Sequence, residues 1–261
     1  MYDPIKLSQV VEKYVLRRKD SDVLRAYYRF RKDRWYGGIA TGDVIGCNLR
    51  CRFCWAWRFA WSLNPPRNSF LSPDEVIERL HFIASRYRLS QVRLSGGEPT
   101  LGIEHTVKVI EGIIRKGLHM VLETNGVLLG FKRDYAEQIA SLHKRDIEVR
   151  VSIKGCSPKE FTEITGAKPG AWYLQLKAIE NLIEYGLRPG DEVYPAIMLS
   201  FCEEENYKAL KNILADIDEE LIKNIDEEYV IMYDHVKELL RRFRLKPKKY
   251  FIPGRIPKEF I

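Results

Sequence analysis

Short apolar, extended segments alternate along this chain with segments of helical periodicity, and this alternation limits the possible folds more than any other feature. Five extended segments are predicted as strands, at residues 41–45, 91–95, 119–123, 148–153 and 192–199. Two of the helices between them begin at Ser-Pro-x-Glu sequences predicted to be capping boxes, 72–75 and 157–160. Alternating strands and helices imply a parallel sheet with right-handed crossovers. The predicted fold class is α/β, with a sheet either doubly wound or bent into a partial barrel.

The residues that follow the five predicted strands are polar, glycine-rich or thiol-bearing. They are residues 46–47, 96–98, 124–126, 154–156 and 200–202. In both forms of parallel α/β sheet, ligands lie at the carboxyl ends of the strands. The sequence therefore predicts one site built from all five strand ends.

Three cysteines, Cys47, Cys51 and Cys54, follow the first predicted strand with the spacing C-x3-C-x2-C. A chain of 261 residues buries enough surface to fold without a structural metal, so a bound metal is predicted to be functional. A [4Fe-4S] cluster held by only three cysteines keeps one iron open to another ligand. The alternatives are a zinc site completed by a distant histidine, or three unrelated buried thiols. Zinc sites usually pair their cysteines in two knuckles, and the sequence has no second knuckle.

The two remaining cysteines, Cys156 and Cys202, are expected to be unpaired, small buried side chains that bind no iron. The total of five cysteines is odd, and three of them are clustered, which argues against a disulfide framework and indicates a reducing compartment. No apolar run approaches the roughly 18 residues that a membrane span needs. The sequence therefore predicts a cytoplasmic protein that does not contact a membrane.

The cysteine loop, with the aromatic Phe53 before its last cysteine, and the sequence Ser-Gly-Gly-Glu-Pro-Thr at 95–100 together resemble the radical S-adenosylmethionine (SAM) enzymes. The resemblance covers about residues 40–200. It implies a partial TIM-type (β/α)6 barrel of parallel strands and one [4Fe-4S] cluster bound by the three cysteines. It also implies that SAM binds the open iron through its amine and carboxylate. One electron from a flavodoxin- or ferredoxin-type donor then cleaves SAM, and the 5′-deoxyadenosyl radical removes hydrogen from a substrate.

The resemblance also implies roles for single residues around SAM. Gly96, Gly97 and Glu98 are expected to hold the methionyl amine, because glycine permits close backbone approach and a carboxylate pairs with an ammonium group. Phe53 is expected to contact the adenine, and a core aromatic is the alternative interpretation of this residue.

Residues 123–126 (Glu-Thr-Asn-Gly) and 152–154 (Ser-Ile-Lys) resemble the D-T-N-G and D-x-K segments of the glycyl-radical-activating branch of that family. In that branch the threonine and asparagine reach SAM, and the lysine meets its carboxylate. The chain differs at Glu123 and Ser152, where the branch usually carries the aspartates of a monovalent-cation site. The predicted SAM-binding residues are Phe53, Gly96, Gly97, Glu98, Thr124, Asn125, Ser152 and Lys154.

Basic residues are concentrated at the two ends of the chain, whose net charge is +7. The predicted organisation is a basic and aromatic extension at 1–38, a radical SAM core at 39–217, and a helix with a basic tail at 218–261. Basic residues interleaved with aromatic ones suit tRNA through phosphate contacts and base stacking, and they also suit an acidic protein. Solvated faces of a stable protein are the alternative.

The predicted function is that of a radical SAM enzyme, of oxidoreductase or activating-enzyme type, with an unidentified substrate. A polypeptide or a small molecule is expected, by resemblance to the glycyl-radical-activating enzymes and to 7-carboxy-7-deazaguanine synthase. The alternatives are a tRNA base-modifying radical SAM enzyme and, from another class, a non-catalytic zinc-bound adaptor that binds nucleic acid.

Overall fold

The computed structural model describes residues 1–142 and 146–260, so Ile261, the last residue of the predicted tail, lies outside the described residues. The α-helices are α1 (Pro4–Val15), α2 (Trp57–Ala60), α3 (Pro73–Tyr87), α4 (Ile103–Arg115), α5 (Val127–Phe131), α6 (Arg133–Ala140), α7 (Pro158–Thr165), α8 (Gly170–Glu184), α9 (Glu204–Ile217), α10 (Glu219–Lys223) and α11 (Asp234–Arg242). The strands are β1 (Leu16–Lys19), β2 (Asp22–Asp33), β3 (Ile39–Val44), β4 (Phe70–Leu71), β5 (Gln91–Gly96), β6 (His119–Thr124), β7 (Ile147–Ile153), β8 (Val193–Met198), β9 (Asp226–Glu228), β10 (Val230–Ile231) and β11 (Tyr250–Phe251).

Neighbouring strands of the main sheet run parallel in the order β3-β5-β6-β7-β8-β9. Strands β3, β5, β6, β7 and β8 are the five strands predicted from the sequence, and their bounds agree with the prediction to within two residues. Helices connect the successive parallel strands. This arrangement confirms the α/β class and the six parallel strands of the partial (β/α)6 architecture.

Both terminal segments contribute strands to the main sheet. β2 pairs antiparallel with β3, and β1 pairs antiparallel with β2. β9, which belongs to the segment predicted as helix and tail, pairs parallel with β8. Arginines alternate with aromatic residues in β2, and this two-residue period is that of a strand.

The outer face of the parallel sheet packs on the connecting helices. Leu94 of β5 and Leu122 of β6 share one hydrophobic core with Leu80 of α3 and Ile110 of α4. All four side chains are fully buried. Because the apolar side chains alternate along each strand, the opposite, inner face of these strands is left for polar residues.

One of the two predicted capping boxes is complete. At the start of α3, the Ser72 hydroxyl accepts from the Glu75 amide at 3.2 Å, and the Glu75 carboxylate accepts from the Ser72 amide at 2.8 Å. At the start of α7, Ser157 caps the helix, but the Glu160 carboxylate accepts from the amide of Cys156 instead of the amide of Ser157. The second box is therefore only half formed.

Candidate active site

A cavity of about 870 Å³ lies at the carboxyl ends of the parallel strands. Its walls include every residue that the sequence predicted for the cluster and for SAM: Cys47, Cys51, Phe53, Cys54, Gly96, Gly97, Glu98, Thr124, Asn125, Ser152 and Lys154. These residues follow or end four different strands, and the parallel arrangement brings them to one edge of the sheet. Their roles toward the cluster and SAM remain predictions.

The cysteine loop leaves β3 at Gly46, which turns sharply against α1. Gly46 has a φ of +88°, and a Cβ at this position would lie 2.8 Å from side-chain carbons of Val11 and Val15. The Gly46 carbonyl accepts from the amide of Glu98 at 2.8 Å. A residue other than glycine would therefore be strained and would displace α1. The turn also joins the cysteine loop to the loop after β5.

The three loop thiols are protonated unless a metal binds. Burial raises the pKa of Cys47 to about 12 and that of Cys54 to about 11. Burial also raises the pKa of Cys51 well above its usual range. Metal ligands must be thiolates, so binding displaces the thiol protons. The Leu49 amide points at the Cys47 sulfur, 3.3 Å away, and orients it.

The spread of the three sulfur atoms fits a cluster better than a zinc ion. Within residues 1–142 and 146–260, these sulfurs do not all lie within 4.8 Å of one another. Three thiolates bound to one zinc ion at about 2.3 Å would lie about 3.8 Å apart. A [4Fe-4S] cluster is larger and takes its thiolates on separate irons. The donor set therefore fits a [4Fe-4S] cluster that keeps one iron free of cysteine.

The two glycines after β5 allow the chain to pass close to the cysteine loop. A Cβ on Gly97 would lie 2.1 Å from the carbonyl oxygen of Gly46, so a side chain cannot be accommodated. Gly96 has a φ of +90°, and a Cβ there would lie 3.0 Å from the Tyr28 ring and 3.1 Å from Asp43. The Gly-Gly pair is therefore required by the packing of this loop.

Glu98 is buried, with 1% of its surface exposed, and it connects the ends of β5 and β6. Its Oε1 accepts from the Thr100 amide, the Thr100 hydroxyl and the Thr124 hydroxyl, at 3.0, 2.7 and 2.7 Å. Its Oε2 accepts from the Asn125 amide at 2.8 Å. The Asn125 side chain in turn donates to Asn48 Oδ1 at 2.7 Å. One carboxylate thus fixes the predicted SAM-binding residues of β6 beside the cysteine loop.

Lys154 is held by the carboxylate of Glu228, a residue of β9 that lies 74 residues later in the sequence. Its ammonium donates to Glu228 Oε2 at 2.8 Å and also contacts the Ser152 hydroxyl. Ser152 and Arg150 both donate to Glu228 Oε1, at 2.7 Å each. Burial tends to raise the pKa of Glu228, but Lys154 and Arg150 outweigh it and hold the pKa at about 2. Ser152, where the related branch has an aspartate, is thus a neutral neighbour of this ion pair.

A second ion-pair network covers the inner face of β2, β5 and β6. Arg93 donates to Glu123 at 2.8 Å and pairs with Asp33. Glu123 also accepts from the hydroxyls of Ser95 and Tyr36, at 2.6 and 2.8 Å. Burial opposes ionisation of Glu123, yet Arg93 and the nearby Arg150 lower its pKa to about 2. Glu123 is therefore an ion-pair partner inside the sheet.

This charged inner face was not predicted from the sequence. Its signal was the presence of Arg93 and Arg150 in the middle of apolar strands, at positions that alternate with buried aliphatic residues. Mid-strand arginines with this period must point to the face opposite the helices.

The prediction that Cys156 and Cys202 are unpaired is wrong. They form a disulfide, with their Cα atoms 5.5 Å apart. Cys156 follows β7 and Cys202 follows β8, and these strands are direct neighbours in the sheet. Adjacent parallel strand ends bring the two thiols together, which the odd number of cysteines did not suggest. Glu160 lies beside the disulfide.

The comparison with family models decides the family of this chain. The model of the radical SAM superfamily matches residues 44–217, two thirds of the chain. The chain belongs to the radical SAM superfamily. As a radical SAM protein it uses a [4Fe-4S] cluster and S-adenosylmethionine, and it requires an external electron donor. No helix among the described residues is long and apolar enough to cross a membrane.

Several curated proteins are similar to this chain. The 7-carboxy-7-deazaguanine synthase of Hyperthermus butylicus is 36% identical over 53% of the chain and 56% of its own length. A probable GTP 3′,8-cyclase of Methanococcus aeolicus is 27% identical over 82% of the chain and 73% of its own length. The first alignment thus spans only about half of that relative. Among solved structures, archaeal TYW1 superposes with a TM-score of 0.48 and 13% identity over 91% of the chain and 87% of its own.

Proposed function

We propose that this radical SAM enzyme cleaves SAM reductively at a single [4Fe-4S] cluster and removes a hydrogen atom from a small molecule held in the cavity. The observation that carries the proposal is the convergence of the three loop thiols, the Gly-Gly-Glu loop and Lys154 on that cavity. The thiols supply a cluster site, the glycines permit close approach of a ligand, and Lys154 supplies a positive charge for a carboxylate.

When bound, the cluster and SAM supply the one-electron chemistry and the 5′-deoxyadenosyl radical. The chain's own residues position these groups. Glu98 holds the Thr124 hydroxyl and the Asn125 backbone in place through hydrogen bonds. Glu228 keeps Lys154 protonated, because its charge raises the pKa of Lys154 against the opposing effect of burial. The carboxylates of Glu98 and Glu228 thus preorganise the groups that are predicted to contact SAM.

We infer that the substrate combines a planar ring with an acidic group. Aromatic side chains line the cavity beside the predicted SAM site: Trp35, Tyr36, Trp55, Tyr229 and Phe251. Arg29 also lines it, and its Nε donates to Asp43 while 43% of the side chain is exposed, so its remaining donors are accessible. The first relative above is named for its product, 7-carboxy-7-deazaguanine, and the second for its substrate, GTP, and both compounds join a guanine-type ring to an acidic group. These relatives give no support to a polypeptide substrate of an activating enzyme.

Anaerobic reconstitution tests the proposed chemistry. With dithionite and SAM, the protein should bind about four irons per chain and release 5′-deoxyadenosine. Cys51→Ser should lose the cluster and the product, because a cluster ligand is removed. Cys202→Ser is the control: it replaces a disulfide cysteine outside the cysteine loop, and the variant should keep both the cluster and the product. Fully clustered protein that binds SAM and yields no deoxyadenosine contradicts the proposal.

Binding of GTP, used as a probe of the ring-and-acid class, tests the substrate inference. Arg29→Met should weaken GTP binding about 10- to 100-fold, since a charge-assisted hydrogen bond contributes about 1.5–3 kcal/mol. Arg86→Met, the same change at an exposed residue of α3, should leave binding unchanged. If wild-type protein that carries the cluster and SAM does not bind GTP, the substrate inference is contradicted.

A further inference from the structure

Helix α11 packs against the segment that directly follows the cysteine loop. The Trp57 indole donates to the His235 carbonyl at 3.2 Å, and a His235 ring nitrogen lies 2.7 Å from the Trp55 carbonyl oxygen. The Trp61 ring meets the Phe243 ring, just past the end of the helix, with their centroids 6.2 Å apart. The tryptophans after the cysteine loop therefore pack on α11 and its C-terminal end.

Arginines surround Phe243 at this contact. The guanidinium of Arg52, a residue inside the cysteine loop, lies 4.8 Å from the centre of the Phe243 ring, and that of Arg242 lies 5.6 Å from it. Arg241, Arg242 and Arg244 are exposed, and within the described residues they form no ion pair. We call Arg52, Arg241, Arg242 and Arg244 the α11 basic patch.

The position of the α11 basic patch relates it to the cluster. Arg52 stands between two of the predicted cluster ligands, Cys51 and Cys54, and Trp55, which follows Cys54, is 39% exposed. The patch thus meets the cysteine loop through Arg52, which belongs to that loop and lies over the Phe243 ring. None of its four arginines is among the residues that line the cavity. A partner bound at the patch would leave the cavity free for substrate.

Resting on the proposed function, we propose that the α11 basic patch is the docking surface for an acidic one-electron donor protein of the flavodoxin class. The cluster must receive one electron in each reductive cleavage, and the patch is a positively charged surface against its loop. Electron-transfer partners dock through small, transient interfaces in which complementary charge sets the association rate. In the proposed step, one electron passes from the reduced flavin to the cluster, and no bond is made or broken.

The test compares two electron sources. Reconstituted holoprotein carrying Arg241→Glu and Arg242→Glu is assayed for 5′-deoxyadenosine, first with reduced flavodoxin and then with dithionite. The control carries Arg86→Glu and Arg115→Glu, the same charge change at exposed residues near the C-terminal ends of α3 and α4. These helix ends lead into the starts of strands, at the opposite end of the sheet from the cysteine loop.

At low salt, the α11 variant should lose at least about tenfold in the rate with limiting flavodoxin, as electrostatic steering contributes about 10- to 1,000-fold. The loss should shrink in about 0.5 M salt, where charges are screened beyond roughly 4 Å. Its dithionite-driven rate and iron content should equal those of wild type, and the control should match wild type throughout.

A wild-type flavodoxin rate in the α11 variant, or an equal loss in the control, overturns the docking proposal. An equal loss with dithionite also overturns it, because the arginines would then serve the cluster site itself. Loss of bulk tRNA binding with an unchanged flavodoxin rate assigns the patch to nucleic acid instead. If wild-type protein releases no deoxyadenosine even with dithionite, the proposed function itself is rejected. This result differs from those that reject only the docking proposal, in which the dithionite-driven reaction of the wild type is intact.

Discussion

Replacing Glu98 by glutamine should destabilise the protein through one buried carboxylate. Glutamine can keep an oxygen at the Oε1 position, which accepts three hydrogen bonds, but its NH2 then faces the Asn125 amide in place of Oε2. One charge-assisted bond, of about 1.5–3 kcal/mol, is lost, and two donors are left facing each other. We expect a cost of about 2–4 kcal/mol, which corresponds to a fall in Tm of roughly 4–15 °C for a domain of this size.

Thermal unfolding of anaerobically reconstituted Glu98→Gln protein measures this effect. Glu104→Gln is the matched control, because Glu104 lies nearby in sequence but its side chain is 57% exposed in a surface pair with Arg18. Such surface pairs contribute at most about 1 kcal/mol, so its Tm should fall by no more than about 4 °C. A Glu98→Gln protein whose Tm lies within about 1 °C of wild type would refute the structural role of this carboxylate.

Further predictions concern pH, the disulfide and Lys154. Because the pKa values of Glu123 and Glu228 are about 2 in the fold, against 4.5 for a free glutamate, these carboxylates stabilise the fold above pH 4.5 and lose that effect as the pH falls toward 2. The Tm of the wild-type protein should fall as the pH is lowered from 4.5 to 2, and the Tm of Glu228→Gln should fall less over the same interval. Cys156→Ser and Cys202→Ser should each cost about 4 kcal/mol for a cross-link over 46 residues. Both variants should keep the iron content of wild type. Titration of five free thiols in wild-type protein that has been unfolded without a reductant would exclude the disulfide. Lys154→Ala should raise the Kd for SAM about 10- to 100-fold in equilibrium dialysis, and an unchanged Kd would contradict its placement.

The position of the site could be predicted from the sequence because strand ends are local features. Cys47, Gly97 and Lys154 each follow a segment whose apolar pattern marks a strand, and a parallel sheet places all such ends at one edge. No pairwise contact between the three residues had to be known. The topology alone brings them to one cavity.

The inner wall of the cavity could not be predicted in the same way. The Tyr36–Glu123 hydrogen bond spans 87 residues and the Lys154–Glu228 pair spans 74. Nothing in the local pattern around Glu228 shows that it forms a short strand beside β8. The Cys156–Cys202 disulfide was missed for the same reason, since it depends on which two strands are neighbours.

The contribution of β9 to the cavity wall sets an order of assembly during protein synthesis. About 170 residues separate the last loop cysteine, Cys54, from Glu228, and a ribosome adds them in roughly 10–35 s at about 5–20 residues per second. During that interval the emerging chain already carries the thiols, while the carboxylate that pairs with Lys154 has not been made. A cluster delivered in that interval reaches the thiols while the β9 wall is still absent, and β9, which is translated later, then encloses it.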